Sequence, residues 1–250
     1  MKKVPFIFAV CAIGALSFRS QSQTGGVPLT SEAHHHLVFT SPEIQAFYVV
    51  IPPGDHTLVH VHDVDYVWVG LGSGKVVNAT VNKPEVHLSS KDAVLHFTRG
   101  PLVHAARNEG DTVYRNVTVE LLQAQTNPRN LCEQVLENEP VQCTEATPGI
   151  FSQHAGVTVQ PQFETDQIRF DLVTLAKMEK VTVSSTKIPP AIIALSDTSA
   201  VAESQKDGDS KPSKRSLKDG NVFAPPAGSP LTLRNTGATE ARFLVFEFKH

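Results

Sequence analysis

Little in this chain favours helix. Apolar residues recur at helical spacing only around Asn130–Glu137, and elsewhere the pattern is one of short β-branched and aromatic runs. There is no basic excess: 22 Lys and Arg face 25 Asp and Glu, a formal net charge of −3, so nucleic acid is not an expected partner. No nucleophile elbow, phosphate loop or nucleotide fingerprint occurs. Gly70-Leu71-Gly72-Ser73-Gly74 is glycine-rich, but no helical pattern follows it, and it reads as a hairpin turn. Cysteine is scarce, with three residues in 250. What remains, 40% hydrophobic and 19% charged, is the composition of a soluble globular protein long enough for a real core.

Residues 1–17 read as a secretory signal peptide, with cleavage as late as about residue 22. Lys2 and Lys3 precede an apolar run from Val4 to Leu16, and Ala15 and Ser17 supply small residues at the cleavage site. The run is too short for a spanning helix, and Cys11 would leave with it. The mature chain is therefore expected to be secreted or periplasmic, with no stable membrane anchor. Cys132 and Cys143 then form one pair in an oxidising compartment, which predicts a disulfide closing a short loop.

The chain repeats itself. Arg107, Asn108, Gly110, Thr112, Arg115 and Glu120 recur as Arg234, Asn235, Gly237, Thr239, Arg242 and Glu247, all at an offset of 127. Ile51–Leu71 aligns with Leu175–Leu195 at an offset of 124. This is a tandem duplication of a unit of roughly 100 residues. The expected division is an N-terminal domain at 25–123, a linker at 124–150 carrying the disulfide, and a C-terminal domain at 151–250. Within the units, Ala46–Ile51, Tyr66–Leu71 and Asn116–Leu121 read as strands, matched by Ile168–Leu175, Val181–Ser184, Ile192–Leu195 and Phe243–Phe248. Many short strands with regular turn signals point to a sandwich, barrel or jelly roll. Glu203–Asp219, nearly devoid of apolar residues, reads as a solvated, flexible hairpin loop.

His60 and His62 stand two residues apart in a β-rich segment, so both imidazoles aim at one side of a sheet. Joined by His104, they make a plausible transition-metal site. At this point the chain resembles the cupin superfamily, and specifically a bicupin. Gly54, His60 and His62 fall on that family's first motif, and Gly72 and Gly74 bracket its closing glycine. Gly100, His104 and Asn108 fit the end of the second. In the second copy Gly220, Pro226, Gly228 and Asn235 keep the second motif, but Leu231 stands at the His position. Ser184 and Thr186 stand at the positions aligned with His60 and His62. The resemblance implies an all-β fold of two tandem double-stranded β-helix (jelly-roll) domains, the first with a metal and the second without.

The family's glutamate ligand falls at Tyr66 or Val67, neither of which can serve as a carboxylate. Asp65 is one residue off, and strand alternation turns it away. The expected centre is therefore three histidines, His60, His62 and His104, holding a divalent transition metal: Fe, Mn, Ni, Cu or Zn. Such a site carries one more positive charge than two histidines with a carboxylate, and favours an anionic, chelating small molecule. Tyr66, Asp65 and His56 are the candidates for catalytic roles; His56 shares the strand parity of His60 and His62 and falls toward the barrel mouth, where a surface histidine is expected rather than a fourth ligand. His34-His35-His36 read as the polar start of the first strand. The resemblance admits a dioxygenase-like oxidoreductase; a non-catalytic metal- or small-molecule binder and a metal-dependent isomerase or lyase stay open. The second unit could serve as scaffold or as a homodimer interface.

Overall fold

The structure is a computed structural model that describes residues 25–143, 150–152, 155–184, 186–196, 200–204 and 213–249. The leader expected at 1–17 lies outside these residues. Among the described residues there is no α-helix, only a 3-10 turn at Leu29–Ser31. The one stretch with helical spacing, Asn130–Glu137, opens on a two-residue strand and continues as an irregular loop. The cause is the side chain of Asn130. Its Oδ1 accepts from the amides of Val135 and Leu136, while its Nδ2 donates to the carbonyls of Leu136 and Glu139. Those local bonds replace the ones a helix would have used.

Ten strands form the first unit: β1 (Val27–Pro28), β2 (His35–Thr40), β3 (Ile44–Ile51), β4 (His60–His62), β5 (Tyr66–Gly70), β6 (Gly74–Thr80), β7 (Val86–Ser90), β8 (Leu95–Thr98), β9 (Leu102–Asn108) and β10 (Tyr114–Leu121). They make two facing sheets in the orders β1-β4-β9-β6-β7 and β2-β3-β10-β5-β8. Ten more form the second: β11 (Arg129–Asn130), β12 (Val157–Glu164), β13 (Ile168–Leu175), β14 (Lys180–Val183), β15 (Ala191–Ala194), β16 (Ala200–Ser204), β17 (Ser213–Leu217), β18 (Val222–Phe223), β19 (Leu231–Asn235) and β20 (Ala241–Phe248). Their sheets, β11-β12-β13-β20-β15-β18 and β14-β19-β16-β17, repeat the same path. Both units are jelly-roll barrels. Ser213–Leu217 is thus a paired strand with Leu217 buried, so the segment expected to be a loop is half ladder; residues 205–212 lie outside the described residues.

The duplicated asparagines explain why the repeat is visible. Asn108 donates to the carbonyls of Ile51 and Thr112 and accepts from the Gly110 amide. Asn235 donates to Leu175, Ala176 and Thr239 and accepts from Gly237. Each side chain ties one hairpin to the neighbouring strand end, and each is fully buried. Asn108→Ala would leave three backbone groups short of a partner, for an expected loss of about 2–3 kcal/mol. A urea midpoint unchanged within error would contradict this.

The two barrels share a core. Along β5 and β10 the side chains alternate: Val67, Val69, Val117, Val119 and Leu121 point out of the first barrel, while Tyr66, Trp68, Asn116 and Thr118 point in. The outward set packs against Phe163, Phe170, Ile193, Leu244 and Phe246 of the second unit's larger sheet. The segment between the units is drawn into this structure. Arg129–Asn130 pairs with β12, Val135 joins the shared core, and Cys132 and Cys143 are bonded to each other. The interior of the second barrel is closed by apolar side chains, among them Val183, Leu231, Leu233, Phe243 and Val245.

A bulge in the first barrel changes the alignment of the copies. His56 bridges Arg107, yet His60 pairs with His104, so three residues on one strand oppose two on the other. The second copy runs without interruption from Lys180↔Arg234 to Val183↔Leu231. The residue standing where His60 stands is therefore Val183, not Ser184. The extra residue also accounts for the exposure of Leu58 and Val59.

Candidate metal centre

His60 and His62 leave β4 on the same side, and His104 faces them from β9 through the His60↔His104 pair. Ring centroids are 5.2 Å apart for His60 and His62, 4.5 Å for His60 and His104, and 5.2 Å for His62 and His104. A fourth imidazole joins them. His35, the first residue of β2, lies with its ring 4.7 Å from that of His60 and 6.3 Å from that of His62. The ligating nitrogens of His35, His60 and His62 all lie within 4.8 Å of one another. All four rings are buried.

Outer partners hold three of these rings by one nitrogen. His60 Nδ1 lies 2.8 Å from the Leu58 carbonyl, His104 Nδ1 lies 2.8 Å from Asn78 Oδ1, and His35 Nδ1 lies 2.6 Å from Glu32 Oε2. His62 Nδ1 is 3.5 Å from Glu120 Oε1, without hydrogen-bonding geometry. Nε2 of His60 and of His104 is buried with no partner in the protein. Buried polar atoms without partners are uncommon and costly. Imidazoles clamped at Nδ1 with Nε2 left over are what metal ligation asks of a protein. The donor set thus fits a divalent transition metal.

Glu32 is the residue that the sequence reading missed together with His35. Burial raises its pKa, but hydrogen bonds from His35, His34 and the Leu58 amide outweigh that and bring it down to about 2. It is a buried carboxylate serving two adjacent histidines, with the 3-10 turn Leu29–Ser31 setting its position three residues before His35. The available signal was that Glu-x-x-His spacing. No carboxylate stands beside His60 at the place of the first motif's glutamate; what lies there is a histidine from an earlier strand with a carboxylate behind it. Glu32 bonds His35 Nδ1 and would act on a bound metal through that ring, so Glu32→Gln should weaken metal affinity roughly 10–100-fold. Competition against a chromophoric chelator measures this, and an unchanged affinity would remove Glu32 from the site.

Tyr66 lies in the cavity, its ring stacked on His62 at 4.0 Å. Burial pushes its hydroxyl pKa far up despite a hydrogen bond with Thr98, so it stays a phenol. Two other candidates are elsewhere. Asp65 accepts from Arg99 at 2.6 Å and from the Gly100 amide at 3.0 Å, which holds it outside the barrel. His56 precedes the bulge and points to solvent, its side chain 68% exposed. Glu120, which the repeat marked only as shared framework, is the carboxylate nearest His62. Burial, with Asp63 adding repulsion, raises its pKa to about 7.

Burial lowers the pKa of His60 to about 4 and of His104 to about 3, and neighbouring imidazoles push the same way. The unfolded chain takes up these protons near the ordinary imidazole value of 6.5 and the folded metal-free protein does not, so the unfolded state binds more protons below that pH. Glu32 acts in the same direction between the ordinary glutamate value of 4.5 and about 2. Stability of the metal-free protein should therefore fall progressively as pH drops from 6.5 toward 4. Calorimetry after chelator treatment tests this; a Tm flat over that window would contradict it.

No protein-family model and no curated protein matches the sequence. Solved structures do match in shape. AerE from Microcystis aeruginosa superposes with a TM-score of 0.55 at 8% identity, over 86% of this chain and 97% of that one. Salicylate 1,2-dioxygenase from Pseudoaminobacter salicylatoxidans gives 0.52 at 14% identity, over 82% and 68%. An oxalate decarboxylase gives 0.53 at 12% identity, over 83% and 69%. At such identities the likeness is one of fold.

Proposed function

We propose that this chain, a two-barrel cupin by fold, is an exported metalloprotein whose N-terminal barrel alone holds a divalent transition metal, through His60, His62, His104 and His35. The observation that carries this is the convergence of four buried imidazoles, with Nε2 of His60 and His104 left unpartnered. The apolar filling of the second barrel supports reading that unit as scaffold. Export is supported by the leader pattern of residues 1–17 and by the Cys132–Cys143 disulfide. A metal bound there supplies Lewis acidity or oxygen activation toward a small chelating organic molecule. Uncharged imidazole ligands leave the ion's positive charge uncompensated at first hand, which favours an anionic ligand.

Oxygenation is the favoured reaction class, with Tyr66 and Glu120 as the groups able to donate and accept protons beside His62. Glu120 favours catalysis over simple binding by its place: it is a buried carboxyl group 3.5 Å from His62, positioned to exchange a proton with a bound molecule. Loss of turnover under anaerobic conditions is the expected result. Turnover that persists without oxygen would leave the isomerase or lyase reading in its place.

A further inference from the structure

The cavity at the imidazoles has only about 60 Å³ of free space, enough for an ion and a chelating group of a few atoms. A second cavity of about 440 Å³ adjoins it, and Trp68, Asn78 and Leu88 are walls of both. That size lies in the range of small-molecule pockets, about 300–1,000 Å³. Trp68 is the only tryptophan of the chain, and it sits at the junction. It stacks on His96, its partner across β5 and β8, with centroids 4.0 Å apart and planes 16° from parallel. Opposite stand Val135 and Leu136, on the loop closed by Cys132 and Cys143 and tied down by the Phe97 amide, which donates to the Val135 carbonyl at 3.3 Å.

Charge does not dominate this cleft. Arg99 is already engaged by Asp65 at 2.6 Å and by the Gln125 carbonyl at 2.7 Å, and Glu137 lies on the other wall. The rest of the lining joins the Trp68 ring and aliphatic side chains to the polar Asn78, Ser89 and Thr98, and its ring and apolar part suit an aromatic face. We propose that the cleft between Trp68 and Leu136 binds the flat aromatic body of a ligand whose chelating end reaches the imidazoles. This rests on the metal reading above and adds the ligand class: an aromatic ring carrying adjacent oxygen donors, held partly outside the barrel.

The test compares two chelators on Zn(II)-loaded protein by titration calorimetry: 3-hydroxy-2-naphthoate, with an aromatic body, and acetohydroxamate, without one. Naphthoate is expected to bind at least ten-fold tighter and to change Trp68 fluorescence. Trp68→Ala should remove most of that advantage over acetohydroxamate, and Trp68→Phe should restore it. Leu136→Trp, on the covering loop, narrows the cleft from the side opposite Trp68 and should weaken naphthoate at least ten-fold, a second variant should Trp68→Ala fail to fold. Equal binding of both chelators, or naphthoate binding indifferent to Leu136→Trp and the Trp68 variants, overturns the aromatic site alone. Failure of the protein to retain zinc or to bind either chelator overturns the metal reading beneath it.

Discussion

Replacing His60 and His62 together by alanine should take metal from about one ion per chain to background in protein purified without added metal. Both side chains leave β4 on one face, and no other described strand brings two imidazoles to the same point. The single variants order the ligands. His35→Ala and His104→Ala should each weaken binding and leave the barrel folded, because the sheet registers do not depend on these rings. Circular dichroism monitors folding and elemental analysis monitors metal. Equal metal in the double variant and the parent would dispose of the site. Full retention in His104→Ala would reduce the centre to His35, His60 and His62.

Phe170→Ala should destabilise both barrels at once. Phe170 is fully buried on β13 of the second unit, its ring 5.7 Å from that of Phe163 and 4.7 Å from that of Phe246, in a cluster that runs on into Val67, Val69, Val117 and Val119 of the first. Deleting a buried phenyl costs about 3–5 kcal/mol. That is a large share of the 5–15 kcal/mol that ordinarily separates folded from unfolded chains, roughly speaking. Since Trp68 belongs to the first barrel, its fluorescence reports that unit, while the substitution lies in the second. Denaturation followed by Trp68 emission and by far-ultraviolet dichroism should give coincident midpoints, both shifted by Phe170→Ala. A Trp68 transition that stays put would mean that the barrels fold independently and that their contact is incidental to stability.

Particular residues separate what could be read along the chain from what could not. The strands were legible because their β-branched and aromatic runs are short and bounded by Gly, Pro and Asn. The repeat was legible because Asn108 and Asn235 each bridge the same backbone groups, so neither could change without leaving buried atoms unpartnered. The pairing of His60 with His62 follows from strand parity. His35 was hidden among three consecutive histidines, of which only its position in β2 picks one out. His34 turns instead to Glu32 and Asp55. The single-residue bulge before His60 was invisible too, since an alignment that counts residues cannot see which of them leave the ladder.

The sequence by itself determined an all-β duplication with imidazoles kept in one copy and lost from the other, because residue type and period-two alternation are local properties. Only the tertiary structure decided that His35 and Glu32 come to the cluster, that Asp65 and His56 do not, and that the outer faces of two barrels become one core. Those outcomes depend on which strands lie side by side. Register, bulges and sheet packing arise from contacts between residues far apart in the chain, and no local pattern encodes them.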